Sequence, residues 1–209
     1  MRNKIKPVLT GFFFLVSSLF LTADDSYIDS IINKNSFYNY EFFFIKNLKL
    51  FSGEIIGNIN GKVILTEDST KLFLVDKNKS FVIGYNGKGV FEEKDGRKIY
   101  EKNNSLLEDL EIITTLNPIT KLKNTKYTLK NNCFDFSLKN GKVDNVKIFF
   151  DKNFLYDSIF FIKGTDTIMS TFYRYDDNFF PVEITTYDKL KGIVENIKNY
   201  RIKTIDFLK

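Results

Sequence analysis

The stretch SFYNYEFFFIK, residues 36–46, decides how the rest of the chain is read. In one register it alternates as a half-buried strand does, through Phe37, Asn39, Glu41, Phe43 and Ile45. The other register holds Tyr38, Tyr40, Phe42 and Phe44, four aromatics that a single strand would carry on one side. A side of that kind needs an apolar counterpart, with Phe37, Phe43 and Ile45 turned away from it.

Working outward, short β-rich runs continue to about Tyr100: FSGEIIGNI, KVILTE, KLFLV, SFVIGY and GVFEEK. Asn60-Gly61 and Asn86-Gly87 are hairpin signals, because both central residues of a type I′ turn need positive φ. The pattern then becomes helical in NSLLEDLEIITTLNP. Ser105 and Glu108 form a capping box, Asn117-Pro118 marks the stop, and Leu106, Leu107, Leu110 and Ile113 make one apolar stripe. A short helical turn, PITKLK, follows. Strands resume from Lys126 in KYTLK, CFDFSLK, VDNVKIFF, YDSIFFIK, TIMSTFYRY, VEITTYD and a last run within GIVENIKNYRIKTIDF.

Upstream of the opening stretch, DDSYIDSIINK reads as a short amphipathic helix. Asp25 is its candidate cap, and Tyr27, Ile28, Ile31 and Ile32 share one face. Before it, Arg2, Lys4 and Lys6 precede an apolar block from Val8 to Leu21 that ends in small residues. That is the layout of a secretory signal peptide over residues 1–23, with cleavage after Ala23. No cysteine follows the block to carry a lipid, so the mature chain is expected to be soluble and outside the cytoplasm. Residues 24–209 carry no repeat and no Pro/Gly-rich linker, and so read as a single domain.

More than ten strands against two or three helices predict a mainly β protein: a strongly curved antiparallel sheet, an incomplete β-barrel or half-barrel, with the helices as a lid. Removing the four Phe of the leader leaves 19 Phe and 11 Tyr for the mature chain. One or two short helices have too little apolar surface to fill the hollow of so wide a sheet, and a long apolar ligand would fill it. The expected wall of that cavity is Tyr38, Tyr40, Phe42, Phe44, Ile148, Phe150, Met169 and Tyr173. Its expected lid is Leu106, Leu107, Leu110 and Ile113.

Other chemistry is poorly supported. The formal charge is +5, but three of those charges lie in the leader, leaving about +2 spread along the chain, so nucleic acid is not indicated. Lys121, Lys123, Lys126 and Lys130 read as a solvated basic loop. The chain has no histidine, which removes the usual triads and most zinc sites. Asp176-Asp177, Glu92-Glu93 and Asp24-Asp25 read as solvated turn residues, and NGKG at 86–89 lacks the spacing of a phosphate loop. The reading is therefore not an enzyme, with no cofactor and no metal. The lone Cys133 cannot form an internal disulfide and reads as a small, partly buried side chain.

The order of these parts resembles the periplasmic lipoprotein-carrier family, the LolA-like proteins. The likeness lies in the leader, the short helix, SF entering a long strand, FSGEI, the hairpin SFVIGYNGKGVF, the helix SLLEDLEII and the closing IKGTDTIMSTFYRYDDNFFPVEITTYD. It implies a lidded half-barrel that binds the acyl chains of lipoproteins and carries them through the periplasm from inner to outer membrane. The implied partners are those acyl chains, an inner-membrane ABC-type lipoprotein release complex and an optional outer-membrane acceptor, with the carrier a monomer. The family's Arg-Pro pair after the second strand, which helps hold the lid shut, is missing, and only Lys71 stands near that place. The alternative reading is a periplasmic sensor or interaction module that uses the same hollow for a protein segment or a regulatory lipid.

Overall fold

The structure, a computed structural model, describes residues 25–37, 39–66, 69–76, 79–86, 89–94, 96–100, 122, 125–138 and 143–205. The leader, Tyr38 and the mid-chain segment with Leu106, Leu107, Leu110 and Ile113 lie outside the described residues. One helix, α1 (Asp25–Lys34), precedes β1 (Tyr40–Leu50), β2 (Ile55–Leu65), β3 (Ser69–Asp76), β4 (Lys79–Asn86), β5 (Gly89–Lys94) and β6 (Arg97–Tyr100). The second half comprises β7 (Tyr127–Lys130), β8 (Cys133–Ser137), β9 (Asn145–Phe150), β10 (Tyr156–Lys163), β11 (Asp166–Tyr175), β12 (Pro181–Asp188) and β13 (Ile193–Thr204). Among the described residues no helix is long and apolar enough to cross a membrane.

All thirteen strands belong to one antiparallel sheet, in the order β6-β5-β4-β3-β2-β1-β13-β12-β11-β10-β9-β8-β7. The chain enters the sheet at its middle with β1 and steps outward to β6. It re-enters at the opposite edge with β7 and steps back until β13 lies beside β1. Among the described residues that last pairing, Tyr40 to Leu50 against Thr204 to Ile193, is the only one between strands not adjacent in sequence, and it joins the two halves. β6 and β7 do not pair with each other, so the sheet is not closed into a barrel.

Thirteen strands laid flat would span roughly 60 Å, and open sheets beyond about ten strands curl, split or flatten. Register shifts interrupt five ladders, between Glu41/Phe43, Leu48/Lys49, Phe161/Ile162, Tyr156/Ser158 and Arg174/Tyr175. Each inserts a residue that bends its strand and adds twist.

Two local expectations are corrected. β1 starts at Tyr40, two residues after Tyr38, because Asn39 takes a left-handed φ of 62° and breaks the run. Asn60-Gly61 is not a turn: β2 runs through it without interruption, with Gly61 paired to Phe44 and Leu74. β4 and β5, which flank the second signal, do pair antiparallel, with Asn86 opposite Gly89.

Candidate functional site

Period-two alternation puts one set of side chains on a shared face, and the ladders show how far that face extends. From Phe42 it runs through Val63, Leu72 and Ile83, and from Phe44 through the Asn199 pair. In the other half Ile184, Ile159, Ile148 and Phe134 continue it. Phe42, Phe44, Val63, Leu72, Phe134, Phe136 and Ile148 are all fully buried.

These residues form two clusters. One contains Ile28 and Ile31 of α1 and Leu122 together with Phe134, Phe136, Val146, Ile148, Phe150, Tyr156 and Ile159, so the helix covers the β8–β10 part of the face. The other contains Phe42, Phe44, Val63, Leu65, Leu72 and Ile83 with Ile184 and Ile197 from β12 and β13, and Phe180 from the turn before β12. No described helix contributes to this second cluster. The Phe180 ring lies over it, with centroids 5.1 Å from those of Phe37, Tyr40 and Phe42. Tyr173 packs against both clusters and is the seam between them.

The polar groups on this face are few. Lys46 and Glu195 pair at 2.8 Å with little exposure of either side chain, and Thr171 and Thr186 share a hydroxyl bond of 3.0 Å. Asn199, buried opposite Phe44, donates Nδ2 to the Pro181 carbonyl at 2.8 Å, and its Oδ1 has no hydrogen-bond partner among the described residues. Burial pushes the phenols of Tyr173 and Tyr175 far above their ordinary value, so both hydroxyls stay neutral.

Of the expected wall, Phe42, Phe44, Ile148 and Phe150 are buried on this face, and Tyr40 and Tyr173 are half-buried against it. The first two lie in one cluster and the next two in the other. Met169 is half-buried and pairs with Phe161, whereas its neighbour Ile168 packs against the first cluster. The register shift between Phe161 and Ile162 inserts Ile168 as an extra residue, which period-two reading cannot foresee. Phe37, expected on the other side, packs against the second cluster, because it precedes β1 and is not bound by the strand's alternation. Phe180 was missed altogether. Its only sequence signal was an aromatic just before Pro181 in a turn that Asp176 closes through Oδ1, which accepts from the Asn178 and Phe180 amides.

Lys71 is turned away from the buried face. Its side chain is on the opposite face, 3.2 Å from Glu93, because it alternates with the buried Leu72. The aromatic Phe91 also lies on that face, under Lys98 at 4.7 Å and across Gly84. A separate groove of about 350 Å³ opens there beside β7–β9, between Lys130, Cys133, Asp135 and Lys147. Burial, then the charge of Asp135, pushes the Cys133 thiol up and away from the reactive thiolate.

No family model matches the chain, and no curated protein sequence does. Solved structures do share its architecture. A DUF1329 family protein from Desulfovibrio piger matches with a TM-score of 0.53 at 10% identity, over 88% of this chain and 93% of the other. A domain assigned to outer membrane lipoprotein sorting, from Vibrio parahaemolyticus, matches with a TM-score of 0.50 at 8% identity, over 88% of this chain and 93% of the other. At such identities the likeness is one of fold. It does extend over nearly the whole length of both neighbours, so the two halves joined at β1–β13 are a shared architecture.

Proposed function

We propose that the protein carries the acyl chains of lipoproteins through the periplasm, between an inner-membrane ABC-type release complex and an outer-membrane acceptor. The observation that carries this reading is the second cluster: an apolar face across β1–β4, β12 and β13 to which no described helix contributes. In this reading the sheet is strongly curved and the face is its concave side. α1 roofs one half, and the mid-chain stripe of Leu106, Leu107, Leu110 and Ile113 is a lid over the other. An acyl chain enters where that lid lifts, against Tyr40, Phe42 and Phe44 on one side and Ile148, Phe150 and Tyr173 on the other. The fold shared with a domain assigned to lipoprotein sorting supports the same reading.

The energetics set what such a site must do. Each methylene removed from water contributes about 0.8 kcal/mol, so an acylated protein does not cross an aqueous gap at a useful rate unaided. A complete enclosure would approach the ceiling of about −20 kcal/mol for non-covalent affinity and prevent release. Rigid aromatic walls with a movable roof give intermediate affinity. The Oδ1 of Asn199, unpartnered among the described residues, adds an acceptor for a donor group at the head of the ligand.

Native mass spectrometry of the full chain with lipopeptides of increasing acyl length tests this. Binding that strengthens with chain length, and that Leu110→Glu abolishes without lowering the melting temperature, is the expected result. Indifference to acyl length, with capture of a protein segment in its place, overturns it in favour of an interaction module.

A further inference from the structure

The largest exposed apolar side chains are concentrated at one end of the sheet. Leu190 is 68% exposed, Ile55 61% and Phe51 53%, with Ile56 and Ile59 also exposed. Phe51 and Leu190 belong to the neighbouring β1–β2 and β12–β13 turns and Ile55, Ile56 and Ile59 to the first residues of β2; the turns are tied by the Leu50↔Ile193 pair and by the Phe51 amide donating to the Gly192 carbonyl at 2.9 Å. The β1–β2 turn is well braced: the Leu50 amide donates to Glu54 and the Gly53 amide to Leu50, each at 2.8 Å, and Gly53 takes a φ of 94°. This hairpin projects past its neighbour, because β2 pairs with β3 only from Asn60 onward. Five hydrocarbon side chains are thus exposed at one braced end of the sheet, where a soluble surface ordinarily carries polar groups.

The charges around this end have a consistent arrangement. Asp188 is paired with Lys191 at 3.3 Å and Glu195 with Lys46 at 2.8 Å, which neutralises two of the three carboxylates. Lys49 and Lys189 make no ion pair among the described residues, and Glu54 is the remaining carboxylate. Ile, Leu and Phe at a tip with free lysines behind them match a bilayer interface, where hydrocarbon enters the acyl boundary and ammonium groups stay at headgroup level. A protein-binding hot spot would favour Trp, Tyr and Arg, and none of these is among the five.

We infer that the adjoining β1–β2 and β12–β13 turns form a membrane-docking tip that inserts Phe51, Ile55, Ile56, Ile59 and Leu190 shallowly into an anionic bilayer surface. Insertion is shallow because Ile55–Ile59 presents a backbone edge that β3 does not cover, and such an edge must keep water or headgroup partners. The docking rests on the tip alone and stands whether or not the buried face carries acyl chains.

Flotation of the full chain with phosphatidylethanolamine/phosphatidylglycerol vesicles, against vesicles of phosphatidylcholine alone, provides the test. The Ile55→Asp/Leu190→Asp variant is compared with the unaltered chain, both having the same N-terminus as checked by mass spectrometry. The expected result is at least about a tenfold loss of vesicle binding, a preference for the anionic vesicles and an unchanged melting temperature. Phe172→Asp, on the opposite face of β11, is expected to bind as the unaltered chain does. Lipopeptide binding measured without vesicles is expected to survive in the tip variant, so a failure of docking and a failure of the carrier reading are distinguishable. Equal vesicle binding by variant and unaltered chain overturns the inference. So does an oligomer that the variant dissolves, which would make the tip a contact between copies, or a tip that captures an extended peptide strand and no lipid.

Discussion

Gly61 stands opposite Phe44 in the β1–β2 ladder and opposite Leu74 in the next. A Cβ built on it would lie 2.8 Å from the Phe44 ring and closer still to the Phe73 carbonyl oxygen. The residue is therefore glycine because a strand carbonyl and an aromatic ring occupy the space of a side chain, and the chain does not turn there. Gly61→Ala is expected to destabilise the fold by about 1–3 kcal/mol as an overpacking change, read as a lower urea midpoint with the slope preserved. Phe44→Ala, which empties a fully buried site, is expected to cost about 3–5 kcal/mol. A neutral Gly61→Ala would show that the ring does not lie where it is described. This position also marks a limit of sequence reading. Asn60-Gly61 has the composition of a hairpin turn, and the contact that overrides it comes from a residue seventeen positions upstream. Phe42 and Phe44, by contrast, were legible from alternation alone, as were Ile148 and Phe150.

Asn35 fastens α1 at its C-terminal end. Asn35 is fully buried and donates Nδ2 to the Ile31 carbonyl and to the Phe154 carbonyl, both at 2.8 Å. Phe154 is in the β9–β10 turn, where Asp151 Oδ1 accepts from the Asn153 and Leu155 amides at 2.8 and 3.0 Å. The helix is thereby joined to the strands whose apolar side chains it covers. Asn35→Ala removes both donors and leaves the Phe154 carbonyl without that partner, so a loss of about 1–3 kcal/mol is expected. Amide exchange should quicken first across residues 28–35, and uniform quickening over the whole sheet would contradict a local fastening. The helix itself was legible from the spacing of Ile28, Ile31 and Ile32. Its fastening was not, since an Asn at a helix end signals only a stop until the turn it bonds to is known.

At the scale of the molecule, the non-sequential pairing of β1 with β13 joins two meanders of the described strands into one sheet that leaves β6 and β7 unpaired with each other. That the chain is mainly antiparallel strands followed from the period-two runs and the turn residues, but their division did not: β2 joins two runs read as separate, and β6 was not read as a strand. The register did not, because the five shifts that bend the sheet insert residues such as Ile168 whose side changes only when the ladder is known. The central claim is that the face bearing Phe42, Phe44 and Ile148 receives an acyl chain. A lipopeptide with a nitroxide spin label near the end of its acyl chain tests it most directly, read as paramagnetic broadening of aromatic and methyl resonances. The account predicts broadening at Phe42, Phe44 and Ile148, with Phe43 and Phe172 on the opposite face unaffected. Broadening confined to the opposite face, or absent from both while the lipopeptide is bound, would contradict it.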